Sequence, residues 1–206
     1  VNFSPNTTKT KDNPIIKPLL TKDENGVERA HKWNYRSVIG MMNYLEKTSR
    51  PDLAMAVHQC ARFCENPKMS HEKAVHRIVK YLMETSDKGL IFRPDKKKGI
   101  ECFVDADFAG CRSARRSTSG GVAMIGQCCV KHWSKTQSTI SLSSGEAELH
   151  GIAMGCSQAL GLQSLMNDLG WKLKLKVRRD TTAAIGIARR RGMGKARHLD
   201  CTDLWI

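Results

Sequence analysis

The stretch SLSSGEAEL, Ser141 to Leu149, marks where the chain changes from a strand pattern to a helical one. Ser143 and Glu146 have the S-x-x-E spacing of a capping box, in which the serine oxygen accepts a backbone N–H and the glutamate reaches back to the serine's own N–H. The residues that follow, Leu149, Ile152, Ala153, Cys156 and Leu160, recur at i, i+3 and i+4 and define a buried helix face. Glu146 therefore has a structural role. Glu148 has none: it stands at the edge of the apolar stripe, where a carboxylate is costly unless something positive meets it.

Working outward, the segment before this helix reads as strands. Ile100 to Asp107 alternates, and Gly120 to Ile125 with Cys128 to Trp133 predict a hairpin about Gly126. The helix is expected to end at Gly170. Leu173, Leu175 and Val177 then alternate in a strand that runs out at Asp180, followed by a short helix from Thr182 to Arg189. Three strands, a helix, a strand and a helix imply an antiparallel meander joined to a crossover, hence an α/β fold with a mixed sheet and helices packed on it. Upstream, helical spacing recurs over Ser37 to Lys47, Pro51 to Cys64 and Ser70 to Thr85. In the third of these, Val75, Ile78, Val79 and Leu82 point inward and His71, Lys73, His76, Arg77 and Lys80 face solvent, as a wet surface or as a phosphate-facing one. Pro5, Pro14 and Pro18 mark an extended lead-in. The expected division is 1–34, lead-in; 35–95, a small helical segment; 96–206, the sheet domain.

The 206 residues carry 34 Lys and Arg against 20 Asp and Glu, a formal charge of +14. A nucleic-acid backbone is the commonest partner for that balance, ahead of a merely soluble basic surface. The eight cysteines, Cys60, Cys64, Cys102, Cys111, Cys128, Cys129, Cys156 and Cys201, show no repeated C-x-x-C pairing and mostly fall in apolar runs. Free buried thiols in a reducing, intracellular compartment are expected. His58, Cys60 and Cys64 are spaced like metal ligands, but they lie on a helical pattern and read as packing. No run of 18 apolar residues is present to span a membrane. No signal-peptide pattern opens the chain, and a start at Val1 is expected of a fragment of something longer.

Asp105 lies near the end of the first strand and Asp180 at the end of the fourth, and a right-handed crossover through the Glu148 helix sets those strands side by side. Three carboxylates would converge there. Clustered carboxylates repel one another unless a cation sits among them, and hard oxygen ligands suit Mg²⁺ or Mn²⁺. Two such ions about 4 Å apart can activate a water and stabilise the leaving oxygen of a phosphodiester. Acidic residues at strand ends also read as ordinary turn formers.

These residues carry a family resemblance. DADFAG (Asp105 to Gly110), RRSTSGG (Arg115 to Gly121), WSKTQSTISLSSGEAE (Trp133 to Glu148) and RRD (Arg178 to Asp180) resemble the ribonuclease H domain of copia-like long-terminal-repeat retrotransposons. YRSVIGMMNYL (Tyr35 to Leu45), SRPDLAMAV (Ser49 to Val57), NPKMSHEKAVHRIVKYLMET (Asn66 to Thr85) and KGLIF (Lys88 to Phe92) are similar to the segment that joins the reverse-transcriptase polymerase to that domain. The resemblance implies a ribonuclease H-like fold. It also implies an endonuclease that cuts the RNA strand of an RNA–DNA hybrid with two divalent ions, working beside the polymerase domain of the same polyprotein. Carried over by position, the metal-binding and catalytic acids are Asp105, Glu148 and Asp180, with Asp107 the runner-up for the first because alternation puts it on the same face.

Two departures stand out. Asp180 is followed by Thr181 where the family usually has asparagine. KARHLD (Lys195 to Asp200) resembles the signature that opens a helix ahead of the last strand, so the family's fourth metal-binding aspartate is expected beyond Ile206, with Asp200 and Asp203 as substitutes. A second reading therefore stands beside the enzyme: an inactive relic that binds nucleic acid or serves as a connection module. Integrase-like transposases share the fold, but their acids come in the order Asp, Asp, Glu, whereas here the order is Asp, Glu, Asp.

Overall fold

The computed structural model describes residues 13–111 and 114–179, which divide between Gly89 and Leu90 into two compact units. The first is helical: α1 (Tyr35–Thr48), a 3-10 turn at Pro51–Leu53, α2 (Ala54–Ala61) and α3 (Met69–Glu84). Asn34 caps α1 by accepting the Ser37 N–H at 3.0 Å, so the helix starts earlier than its apolar spacing predicts. Ile39, Met42, Leu53, Val57, Val75 and Ile78 form the core of this unit.

Residues 13–34 of the expected lead-in pack on this unit. Leu20 is buried, and the Met69 N–H donates to the Val27 carbonyl at 2.8 Å. The same segment corrects the reading of α3: His71 is fully buried, not solvent-facing. Its ring stacks on Phe63 at 4.3 Å, Nδ1 accepts the Lys68 N–H at 2.8 Å, and Nε2 lies 2.7 Å from the Thr21 carbonyl. Helical periodicity marks a polar face but cannot say whether another part of the chain will cover it.

The second unit is a mixed α/β body. Its sheet consists of β1 (Ile100–Cys111), β2 (Arg116–Ile125), β3 (Cys128–Thr136) and β4 (Leu175–Arg178), with α4 (Ser144–Asp168) between β3 and β4. The strand order is β3-β2-β1-β4; β1–β2 and β2–β3 are antiparallel, and β1–β4 is parallel. The expected hairpin turns at Gly126, whose φ of +64° favours glycine. In α4, Leu149, Ile152 and Ala159 pack on Cys102 and Val104 of β1, and Leu162 joins Ile100, Ala123 and Ile125. Leu160, expected in the buried stripe, is exposed; Ala159 is the buried residue of that turn. Helix and strand approach closely at Gly155, where an added Cβ would stand 2.2 Å from Val104 Cγ1. The helix expected at Thr182 to Arg189 lies outside the described residues.

Candidate active site

The entry to α4 is built as a cap. Ser143 is extended and its Oγ accepts the Glu146 N–H at 3.2 Å. Glu146 Oε2 accepts the Leu142 N–H at 2.9 Å, one residue before the serine N–H that the box spacing predicts. Gln137, which the sequence reading passed over, anchors this end to the sheet: its amide donates to Ser119 Oγ at 2.9 Å and to the Ala147 carbonyl at 2.7 Å, and its oxygen accepts from Ser141 at 3.1 Å. A buried amide that satisfies three partners from two elements fixes where the first turn of α4 stands on β2.

Just past that first turn Glu148 is largely buried, and it is paired with Arg179. The positive partner expected for Glu148 is thus supplied by an arginine of the chain. Alternation explains it. Leu175 and Val177 of β4 pack with the α4 core, so Arg179, two residues on, points the same way, whereas Arg178 turns to Glu101 on the other face at 2.7 Å. The sequence signal was present in the spacing of Leu175, Val177 and Arg179, but only the parallel register brings that strand beside the helix.

Asp105 stands on β1, exposed, at the position alternate to Val104 and Ala106, whose side chains face α4. Asp107 is its electrostatic neighbour. The Asp107 Oδ2 atom is buried against Gly110 without a hydrogen bond, and burial first, then the charge of Asp105, pushes its carboxyl above the usual range. Asp180, Asp200 and Asp203 lie outside the described residues. Among the described residues, Asp105, Asp107 and Glu148 do not form a group of three with ligand atoms within 4.8 Å of one another; the group that does is His31, Glu72 and His76 of the helical unit.

In donor chemistry the sheet acids fit a hard divalent cation. All are carboxylates, and Asp107 and Asp105 form a pair of like charges that a cation would relieve. Arg115 and Arg116, the candidate backbone contacts, are exposed at the start of β2; Arg189 to Arg191 lie outside the described residues. No helix among the described residues is long and apolar enough to cross a membrane.

The chain is similar to the retrovirus-related Pol polyprotein from transposon RE2 of Arabidopsis thaliana, with 30% identity over 164 residues, 78% of this chain and 11% of that protein. It is also similar to the retrovirus-related Pol polyprotein from transposon TNT 1-94 of Nicotiana tabacum, with 30% identity over 174 residues, 84% of this chain and 13% of that protein. A secreted RxLR effector protein of Plasmopara viticola is 37% identical over 128 residues, 62% of this chain and 90% of its own length. The chain therefore spans only a small part of the polyproteins it matches. No protein-family model matches the chain, and no solved structure does. With two transposon Pol polyproteins matching most of its length, and motifs from Tyr35 to Asp180 in their order, the chain belongs to the copia-like retrotransposon Pol polyprotein family.

Proposed function

We propose that the sheet unit is a ribonuclease H-like domain that cuts the RNA strand of RNA–DNA hybrids during reverse transcription, inside the cell and beside the polymerase domain of its polyprotein. The observation that carries this reading is the parallel pairing of β1 with β4 across the α4 crossover: Phe103 is paired with Arg178. In sequence, Asp105 follows Phe103 by two residues and Asp180 follows Arg178 by two.

The acids that would hold the metal are Asp105, Glu148 and Asp180; because Asp105 alternates with Val104 and Ala106, which face α4, its carboxylate would have to swing round β1 to share an ion with Glu148. When bound, two Mg²⁺ or Mn²⁺ ions supply water activation and stabilisation of the leaving oxygen. The chain's own contribution is placement. Gln137 and Ser143 hold the first turn of α4, which sets the position of the Glu148 carboxylate. Arg179 keeps that carboxylate neutralised, and its guanidinium must turn away before Glu148 can take a cation. Arg115 and Arg116 are free to meet phosphates, giving affinity that falls with salt and depends little on sequence. Strand choice would rest on the 2′-hydroxyl, the group by which the two strands differ.

The Glu148–Arg179 pair also favours the second reading, a nucleic-acid-binding relic, because an internal cation already occupies the carboxylate. Release of labelled RNA from a hybrid, in Mg²⁺ and in Mn²⁺ with duplex DNA as control, separates the two. The wild-type chain is assayed beside Glu148→Gln. Release that requires the divalent ion is expected from the wild type and is lost in Glu148→Gln. Silence from the wild type, with salt-dependent binding retained, would replace the enzyme by the relic.

A further inference from the structure

The helical unit holds a group of side chains for which the nuclease reading has no use. His31 lies on the segment that runs over α3, and Glu72 and His76 are one turn apart on α3 itself. One ligand atom from each, two ring nitrogens and a carboxylate oxygen, lie within 4.8 Å of one another. His31 Nδ1 is 2.5 Å from Glu72 Oε1, and the two rings meet edge to face at 5.6 Å. We propose that His31, Glu72 and His76 form a binding site for one transition-metal ion of the zinc class, with its fourth position left to water.

The donor set selects the ion class. Two imidazoles and one carboxylate suit Zn²⁺, Co²⁺ or Ni²⁺ and are poor ligands for Mg²⁺, so this site and the sheet acids would not compete for the same metal. Glu72 is prepared for the role. Its Oε2 accepts from Arg29 Nε at 3.0 Å, which holds the carboxylate in one orientation and leaves Oε1 towards the histidines. Arg29 is itself fixed, donating to the Trp33 carbonyl at 2.7 Å and lying over the Trp33 ring at 4.2 Å. A hydrogen-bonded carboxylate of this kind is the usual support of a metal ligand. Arg29 also brings a positive charge close to the ion, which weakens binding, so a labile site is expected and not a permanent structural one.

The geometry needs one adjustment. Donors on a tetrahedral zinc with bonds of 2.0–2.1 Å lie about 3.3 Å apart. The metal therefore replaces the hydrogen bond between His31 and Glu72, releasing its proton to solvent, and opens that pair by a little under 1 Å. His31 can make the move: its side chain is 55% exposed, whereas Glu72 is 1% exposed and stays in place. The ion would clip residues 13–34 to α3 and raise the stability of the helical unit in proportion to its occupancy.

The experiment is calorimetric titration of the full chain with Zn²⁺, together with X-ray absorption at the zinc edge, for wild type, His31→Ala, His76→Gln and, as a control, His132→Gln. Expected are one equivalent of zinc with a shell of nitrogen and oxygen only, and a loss of affinity of at least about tenfold in His31→Ala and His76→Gln but not in His132→Gln. His31 is on the surface, so its replacement leaves the fold intact and isolates the ligand. A shell containing sulfur would assign the zinc to the cysteines and overturn the site. Equal affinity in wild type and His31→Ala would overturn it too, leaving a hydrogen-bonded cluster and nothing more.

Discussion

The Arg50–Asp52 network of the helical unit and the Asp105–Asp107 pair of the sheet unit are balanced in opposite ways. In the helical unit a buried charge is tied on every side. Arg50 donates to both Asp52 oxygens at 3.0 and 2.8 Å, to the Thr85 carbonyl at 2.9 Å and to Thr85 Oγ1 at 2.7 Å, and the Tyr81 hydroxyl donates to Asp52 at 2.9 Å. Glu72 takes its two partners in the same manner. In the sheet unit Asp107 is half-buried beside a like charge, with no donor on its buried Oδ2 atom. A closed network holds helices in place, whereas an underbalanced carboxylate stores unfavourable electrostatics that an incoming cation can release.

The direction of the carboxyl shifts follows the same division. Burial raises Asp52, but the hydrogen bonds from Arg50 and Tyr81 outweigh it and hold it below the usual range; Glu72 is likewise held low by His31 and Arg29 against burial. A lowered folded-state value means stability that is present above the unfolded value and lost as the pH falls through the folded one. Asp107, raised, works the other way: its contribution is full below the unfolded value and is lost as the pH rises through the folded one. Acid should therefore open the helical unit before the sheet unit. Segment-resolved hydrogen exchange between neutral pH and the lower carboxylate range measures this, and equal loss of protection in both units would break the contrast.

The largest mutational effect is expected at Arg50. Arg50→Ala leaves Asp52 and the Thr85 carbonyl without their donor and should cost about 3 kcal/mol, with Arg50→Lys in between because an ammonium cannot replace the fork. Urea unfolding followed by helical circular dichroism measures it.

Next comes the pair that links the two readings of the sheet acids. Arg179→Ala should cost about 2 kcal/mol in metal-free buffer, less than Arg50→Ala because Arg50 also donates to the Thr85 carbonyl and hydroxyl. If Glu148 is a metal ligand, Mn²⁺ should recover part of that loss in Arg179→Ala and none of it in the Glu148→Gln, Arg179→Ala double variant. No recovery by Mn²⁺ in thermal melts would move the weight to the relic.

Close helix–strand contact should be worth slightly less. Gly155→Ala places a methyl against Val104 and should destabilise the sheet unit by about 1.5 kcal/mol. In the Val104→Ala background the same change should be milder, a coupling that a double-mutant cycle reads directly. Additive effects would mean that α4 simply shifts.

Smallest of all, Asp107→Asn should be neutral or stabilising by roughly 0.5 kcal/mol at neutral pH, since it removes a half-buried charge from beside Asp105. A clear destabilisation would show that the Asp107 charge has a partner and that the sheet unit is balanced after all.

Much of this was legible in the chain itself, where the signal is local. Alternation from Ile100, the turn at Gly126 and the Ser143 cap depend on neighbours a few residues away, so periodicity and cap spacing predict the meander, the crossover helix and the parallel β1–β4 pair. Glu148 was singled out by the same local logic, as a carboxylate at the edge of an apolar stripe. Its partner was not: Arg179 lies 31 residues further on and reaches Glu148 only through the register of β4 on β1. His71 and Leu160 were misassigned for the matching reason. A helical pattern fixes which residues share a face, but whether that face is covered, as His71 is by the segment containing Thr21, or exposed, as Leu160 is, depends on chain packed from far away. The sequence by itself determined the elements, their order and the acids on them; the tertiary structure decided which charges those acids meet, because Coulomb interactions and burial act through space and not along the chain.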